Sequence, residues 1–208
     1  MSTNNKALLS KFWDCRNRYR FHSQKSLTNV QLEGVSRPHF FRGVATVVTK
    51  LFNIIQPERA YFGQKDIQQT VVLKAMVRDL HVPVDLRVCP TVREHDGLAL
   101  SSRNAYLLPN QRNDAVILWR SLQAGVEFYS RTPSASALRV LAAAQDQITK
   151  DVADANGRVT IEYLEIVHLE TLQPLRESDD SKGAILVGAV RLKGDGKFIR
   201  LIDNVILD

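Results

Sequence analysis

The sequence predicts an α/β fold in which a short parallel sheet is followed by a smaller α+β unit with antiparallel strands. Three observations predict it. Residues 59–92 read strand, turn, helix, strand in about thirty residues, the length of a βαβ unit and hence of two parallel strands. Residues 109–152 carry apolar side chains at helical spacing in two blocks. Residues 159–207 contain three alternating or apolar runs, introduced by Asn156-Gly157 and divided by Gly194-Asp195-Gly196, both strong turn signals.

Composition sets the outer bounds. At 208 residues, 44% apolar and 24% charged, the chain has the make-up of an ordinary globular protein with one good core or two small ones. No apolar run approaches the roughly 20 residues that span a bilayer, so no membrane helix is expected. Cys15 and Cys89 lie far apart without CxxC spacing. That argues against a disulfide framework and for a reducing compartment, with the cytoplasm as the default. The net charge of +6 belongs to the first fifty residues, where nine Lys/Arg face only Asp14 and Glu33; the rest of the chain carries nineteen against twenty acids. Without an aromatic RNA-binding pattern, a Cys/His finger or a basic-region heptad, this basic arm argues poorly for nucleic acid and reads better as a solvated helix.

Taken in order, Asn5 to Arg20 carries a weak helical stripe of Leu8, Phe12, Trp13 and Tyr19. Its Arg and Ser content also fits a mitochondrial transit segment, the alternative to a cytoplasmic address. Gln31 to Arg42 is a polar approach. Val44, Val47, Val48, Leu51, Phe52 and Ile55 predict a helix with one buried face, ended by Pro57. Arg59 to Gly63 reads as a strand. Asp66 is placed as a helix N-cap that forms a capping box with Gln69. The helix it opens would bury Leu73, Met76, Val77 and Leu80 and stop before Pro83. Val84 to Val92 is the second strand, interrupted by Pro90.

Beyond it, Pro109 opens a helix to about Arg131, and Thr132-Pro133-Ser134 caps another through about Val152. Val159 to Leu169 reads as a half-buried strand, residues 176–183 as a polar loop, and Ala184 to Lys193 and Lys197 to Leu207 as a hairpin. The boundary between the two units falls near Arg93.

In such a sheet ligands gather beyond the carboxyl ends of the strands, near helix N-termini. Gly63-Gln64-Lys65-Asp66 and Thr91 to Asn104 both leave those ends. Lys65 suits a phosphate or carboxylate there, although a lysine in a βα loop is more often merely solvated. Gln69 reads as a capping residue before a ligand contact. Ser101-Ser102-Arg103-Asn104 is a dense set of hydroxyl, guanidinium and amide donors that suits a polyphosphate, or equally a surface loop capping the next element. Glu94 and Asp96 lack a third acid or a histidine nearby, so no protein-built metal site is expected. The five histidines show no HxxxH or HExxH spacing, and the chain has no GxSxG, Walker A or GxGxxG motif.

Several runs together carry a more specific signal. They are Gln31-Leu32-Glu33-Gly34, Arg37-Pro38, Phe41-Arg42-Gly43-Val44, Tyr61-Phe62-Gly63-Gln64-Lys65-Asp66, Gln68-Gln69, Leu98 to Asn104 and Arg200-Leu201-Ile202-Asp203-Asn204. In this order, over residues 27–208, they resemble the pantothenate synthetase (pantoate–β-alanine ligase) family, particularly its fungal form. The resemblance implies a Rossmann-like nucleotidylyltransferase sheet, here a remnant, followed by the α+β unit. It implies ATP-dependent joining of pantoate and β-alanine through pantoyl adenylate, with Mg²⁺ accompanying ATP, and a homodimer as a candidate assembly. By the same resemblance Lys65 would bind phosphate, and Ser101, Ser102 and Arg103 would form a mobile phosphate-binding loop. Gly63 and Asp66 would contact the ATP ribose, Val92 the adenine through its backbone, and Gln69 pantoate.

Departures accompany the match. The family's HxGH-type segment and its Phe-Val-Asn-Pro-x-Gln-Phe-type segment occur nowhere in this chain, and Phe40 stands where many bacterial members have histidine. Residues 1–26 read as a divergent basic segment, 27–92 as a partial nucleotide-binding domain and 93–208 as the C-terminal unit. Helices without their usual neighbours are expected to leave the apolar faces of the Val44 and Leu73 helices uncovered. Three readings follow: a chain lacking its front half, a catalytically dead partner of a full-length subunit, and a basic-arm nucleic-acid binder, which the charge distribution favours least.

Overall fold

The computed structural model describes residues 32–36, 39–176, 179–194 and 198–208. The helix expected over Asn5 to Arg20 lies outside these residues. Helix α1 spans Phe40–Ile55, starting four residues before the predicted Val44, because His39 takes a left-handed conformation (φ 72°) and turns the chain into it. The helix buries Phe41, Ala45, Val48 and Phe52. Val47, Leu51, Ile54 and Ile55 lie on an adjacent exposed stripe, with Ile54 79% exposed, so the predicted buried face mixed two stripes. Gln56, also left-handed, closes the helix by donating its N–H to the Phe52 carbonyl, one residue ahead of Pro57.

Strand β1 (Arg59–Gly63) pairs in parallel with β2 (Asp85–Cys89), in register from Arg59↔Asp85 to Gly63↔Cys89. The predicted βαβ unit is therefore present. Strand β2 ends at Cys89 and not at Val92, since Pro90 has no N–H for the ladder. Between the strands, a 3-10 turn (Gln64–Asp66) runs into helix α2 (Ile67–Asp79). Leu73 and Met76 of α2 are buried against Ala45, Val48 and Phe52 of α1, while Leu80 lies beyond the helix end and is exposed. The expectation of uncovered apolar faces thus holds for α1 and fails for Leu73, whose cover is α1 itself.

The helix predicted from Pro109 is broken in the structure. A 3-10 turn (Pro109–Gln111) and one helical turn (Arg112–Ala115) precede helix α3 (Ile117–Arg131). Helix α4 (Ala137–Asp154) has Ser136 at its N-cap and no side-chain capping bond, so Thr132 to Ser134 break the chain without capping it. Strands β3 (Val159–His168), β4 (Ala184–Lys193) and β5 (Phe198–Ile206) form an antiparallel sheet in that order. Lys193 pairs with Phe198, as the predicted hairpin requires; residues 195–197 of its turn lie outside the described part.

Both faces of this sheet are covered. Leu118, Leu122, Val140 and Ile148 of α3 and α4 pack on Leu164, Ile166, Leu186 and Val190. On the opposite face Phe41, Ile67, Val71 and Val72 pack on Val167, Ile185 and Val187. The half-buried alternation predicted for β3 is accordingly lost, with a register shift between Ile161 and Tyr163. The near-continuous apolar run of β4 is the sequence trace of two-sided burial. A Cβ on Gly188 would sit 2.7 Å from Leu118 Cδ1, so the bare backbone there allows α3 to lie close on the sheet.

Candidate active site

The first loop of the site forms because β1 ends at Gly63 and the chain enters α2 through a 3-10 turn. Asp66 occupies the N-cap position with φ −96° and ψ 56°, outside the extended region from which a capping side chain reaches back, and it makes no capping bond. The predicted Asp66–Gln69 capping box is therefore absent, and both side chains border open space instead. The first turn of α2 supplies Ile67, Gln68 and Gln69 to the same space, so the positive end of the helix dipole faces it.

The second loop is a tight hairpin. Arg93 bridges to Ala99 in antiparallel sense, and the Leu100 N–H donates to the Val92 carbonyl at 2.9 Å. Ser101 Oγ accepts from the Arg103 N–H at 3.2 Å and opens a 3-10 turn, Ser102–Tyr106. Asn104 Nδ2 folds the loop back by donating to Glu94 Oε1 (2.8 Å) and to the Ala99 carbonyl (3.1 Å). Glu94 and Asp96 both accept from Arg112, at 2.7 Å and at 2.5 and 2.8 Å. These bonds hold the Asp96 carboxyl down at about 2 and lower Glu94 as well.

Strand β5 reaches both loops through adjacent residues. Asp203 takes two hydrogen bonds from Arg93, Nη1 to Oδ2 at 2.5 Å and Nη2 to Oδ1 at 3.0 Å. Burial pushes the Asp203 carboxyl up, and the Arg93 guanidinium pulls against it. Arg93 also donates to the Gly97 carbonyl at 3.0 Å and stacks 3.6 Å from the Trp119 ring centroid. Asn204, 1% exposed, donates from Nδ2 to the carbonyls of Gln64 (2.9 Å) and Lys65 (3.0 Å). Its Oδ1 accepts from Gln64 Nε2 at 3.3 Å.

Between the two loops lies a solvent-open cleft that encloses only about 40 Å³. Of the residues marked in the sequence, it collects Lys65, Asp66, Gln69 and Arg103. Lys65 also borders a second, smaller hollow together with Ser101, Trp119 and Asp203. Gly63, Ser102 and Val92 line neither hollow; Ser102 and Val92 are exposed, and Gly63 ends β1 with nothing within 4 Å of where a Cβ would stand.

Glu33 and Tyr163, which also line the cleft, belong to an ionic network. Glu33 accepts from Arg200 at 2.6 Å through each of its oxygens and from the Tyr163 hydroxyl at 2.7 Å. Arg200 also donates to Glu162 at 2.6 Å, and Glu162 accepts from Arg191. Burial holds the Tyr163 hydroxyl well above its ordinary range, and the Glu33 carboxylate adds to that. Burial works against the charge on Arg200, but Glu33 and Glu162 outweigh it, and the net direction is upward.

The sequence reading gave no role to Glu33, Arg93, Tyr163, Asp203 or Asn204. A signal for two of them was available: Asp203-Asn204 is a polar pair inside the apolar run Leu201-Ile202 and Val205-Ile206. Polar side chains in a buried strand need partners, and such a pair flags a built contact.

Comparisons with known proteins place the chain in a family. A family model described as pantoate-beta-alanine ligase matches residues 14–206, beginning inside the segment read as divergent. A pantothenate synthetase of Chloroflexus aggregans is 49% identical over 177 residues, covering 85% of this chain and 60% of its own length. One from Acetivibrio thermocellus is 45% identical over 189 residues, covering 88% and 63%. Among solved structures, pantothenate synthetase from Thermus thermophilus superposes with a TM-score of 0.75 at 45% identity, over 86% of this chain and 60% of that one. A Francisella tularensis pantoate-beta-alanine ligase, complexed with beta-gamma ATP and beta-alanine, superposes with a TM-score of 0.53 at 28% identity, over 86% and 55%. The chain thus spans about 60% of the length of the relatives it matches. The family model matches nearly the whole length of the chain, and the chain belongs to the pantoate-beta-alanine ligase family.

Proposed function

We propose that the chain supplies the phosphate-gripping part of a pantoate–β-alanine ligase site, which joins pantoate to β-alanine to give pantothenate at the expense of ATP. The observation that carries this reading is the convergence of Lys65, Asp66 and Gln69 from one loop with Arg103 from the other on a single cleft. In the first step a pantoate carboxylate oxygen attacks the α-phosphate of ATP and pyrophosphate leaves. In the second, the β-alanine amine attacks the acyl carbon of the adenylate, loses a proton and expels AMP.

Lys65 is assigned to the phosphates, where its ammonium and the positive end of α2 oppose the charge that develops on the phosphoryl oxygens. Ser101, Ser102 and Arg103 close on the same phosphates from the second loop, and Gln69 holds polar groups of pantoate. Gly63 and Asp66 contact the ribose; the open space at Gly63 supports close approach of a ligand to its backbone. Val92 meets the adenine through its backbone, with its carbonyl already accepting from Leu100. Mg²⁺ enters with ATP as part of the substrate, since Glu94 and Asp96, the acids of the second loop, are committed to Arg112.

An HxGH-type segment with phosphate-binding histidines does not occur in the 208 residues, so the roles proposed here are those of the two loops alone. The likeness to the fungal form is carried by the motif letters alone. No described helix is long and apolar enough to cross a membrane, and the exposed free thiol of Cys89 fits a reducing compartment such as the cytoplasm.

The test is AMP release by the purified chain, which should require pantoate and β-alanine together. A chain that binds ATP and releases no AMP keeps the half-site and loses stand-alone activity; a chain that binds no ATP overturns the assignment. The exposed stripe of α1 supports a second reading, in which the chain pairs with a longer relative or with itself. Separate elution from a full-length relative on a sizing column would count against the heteromeric form.

A further inference from the structure

We infer that Asp203 and Asn204 are positioning residues that set the distance between the two phosphate loops. They are neighbours on β5, and each reaches a different loop. The Asp203 carboxylate holds Arg93, the residue at the base of the Ser101–Arg103 loop, through both guanidinium nitrogens. The Asn204 amide holds the carbonyls of Gln64 and Lys65 and accepts from Gln64 in return.

The choice of residue types follows from what each loop offers. The Lys65 loop presents two carbonyl oxygens that need a donor and one amide donor that needs an acceptor. A carboxamide satisfies all three, whereas a carboxylate would face the two carbonyls with no donor at all. The Arg93 end presents two parallel N–H groups, which a carboxylate matches and a carboxamide does not. Exchanging the two letters would therefore break both contacts. Because the residues are consecutive on a strand packed on both faces, neither loop can shift along β5 without losing its bonds. The Asp203 side chain also borders both the cleft and the smaller hollow, next to Lys65, so a negative charge stands beside the ammonium that the nucleotide phosphates would meet.

This inference rests on the proposed function for its consequence and stands on the hydrogen bonds for its geometry, so two measurements are needed. The first is amide hydrogen exchange on the purified chain, with Asn204→Asp for one contact and Asp203→Asn for the other. A third variant, Gln64→Leu, removes one bond from outside the buried strand and covers the case in which the β5 variants do not fold. Exchange should quicken about tenfold or more at 64–67 in Asn204→Asp and Gln64→Leu, and at 93–104 in Asp203→Asn, with β3 and β4 unchanged. Unchanged loops, or an equal rise through the whole sheet, would overturn the inference.

The second measurement is ATP affinity in a double-mutant cycle. If Asn204 acts through Lys65, Gln64→Leu weakens ATP binding several-fold in the native background and has no further effect with Lys65→Ala. An equal loss in both backgrounds would mean a merely structural role. Should the native chain bind no ATP, the proposed function fails and the exchange result still decides the positioning role.

Discussion

Arg93 and Asp203, 110 positions apart, face each other through two parallel hydrogen bonds of 2.5 and 3.0 Å, with the carboxylate almost wholly buried. A buried charge tolerates this place only while its partner is present. Arg93→Ala leaves the Asp203 carboxylate without a cation, with only the Asn204 N–H still donating to it at 2.8 Å, and also removes the stack on Trp119. It should cost about 3–5 kcal/mol of folding stability, read from urea unfolding. A loss below about 1 kcal/mol would show that water replaces the guanidinium.

Gly97 and Trp119 make a steric prediction. Gly97 has φ +91°, and a Cβ there would stand 1.9 Å from the Trp119 indole nitrogen. Gly97→Ala should destabilise by about 2–4 kcal/mol, combining left-handed backbone strain with displacement of the indole. Gly157 is the control: its φ is +76° with nothing within 4 Å, so Gly157→Ala should cost only the backbone share, about 1–2 kcal/mol.

The Arg112 pair predicts a pH dependence. Asp96 titrates from 3.8 when unpaired to about 2 beside Arg112, and Glu94 is lowered from 4.5 in the same way. Both folded values lie below the unfolded ones, so the stabilisation is full above about pH 4.5 and is lost as pH falls toward 2. The melting temperature of Arg112→Gln should lie below that of the native chain at pH 7, and the gap should close between pH 4.5 and 2. A gap that stays constant with pH would exclude the carboxylates as its origin.

At Gly63 binding and folding should separate. The backbone there has φ −78° and open space at the Cβ position. Gly63→Ala should leave stability unchanged or raise it by up to about 1 kcal/mol, by restricting the unfolded chain. If the ribose packs on this backbone, the same change should weaken ATP binding about tenfold, and titration calorimetry beside a thermal melt would show it. Weaker binding together with a lower melt would instead mark Gly63 as a folding residue.

The α1 stripe of Val47, Leu51, Ile54 and Ile55 should make the isolated chain self-associate. Replacing Leu51 and Ile54 by Asp should shift its sedimentation toward the monomer, and should remove any rise of the melting temperature with protein concentration. A native chain that sediments as a monomer would remove this surface from consideration.

The βαβ unit was legible because strand and helix periods differ and Pro57, Pro83 and Pro90 punctuate them. The site was legible in part. Lys65, Asp66, Gln69 and Arg103 were marked from the sequence and converge in the structure. Gly63, Ser102 and Val92 were marked with them and line neither hollow. The Asp66–Gln69 capping box failed because its spacing is a local pattern, and the 3-10 turn before α2 set the backbone of Asp66 to an angle the pattern does not encode. The two stripes of α1 were merged because apolar spacing shows which side chains share a face, without showing which face has a neighbour.

By itself the sequence determined the order of elements, the parallel pair β1–β2, the antiparallel sheet, and two donor-rich loops leaving strand ends. Local periodicity and turn chemistry suffice for these, because each depends on residues a few positions apart. Only the tertiary structure decided that β3 to β5 are covered on both faces, that α1 supplies the cover of α2, and that the two loops are tied through Asp203 and Asn204. The loop ties alone join residues 140 positions apart. They depend on which partner a buried polar group finds once the chain has closed, and no local spacing records that choice.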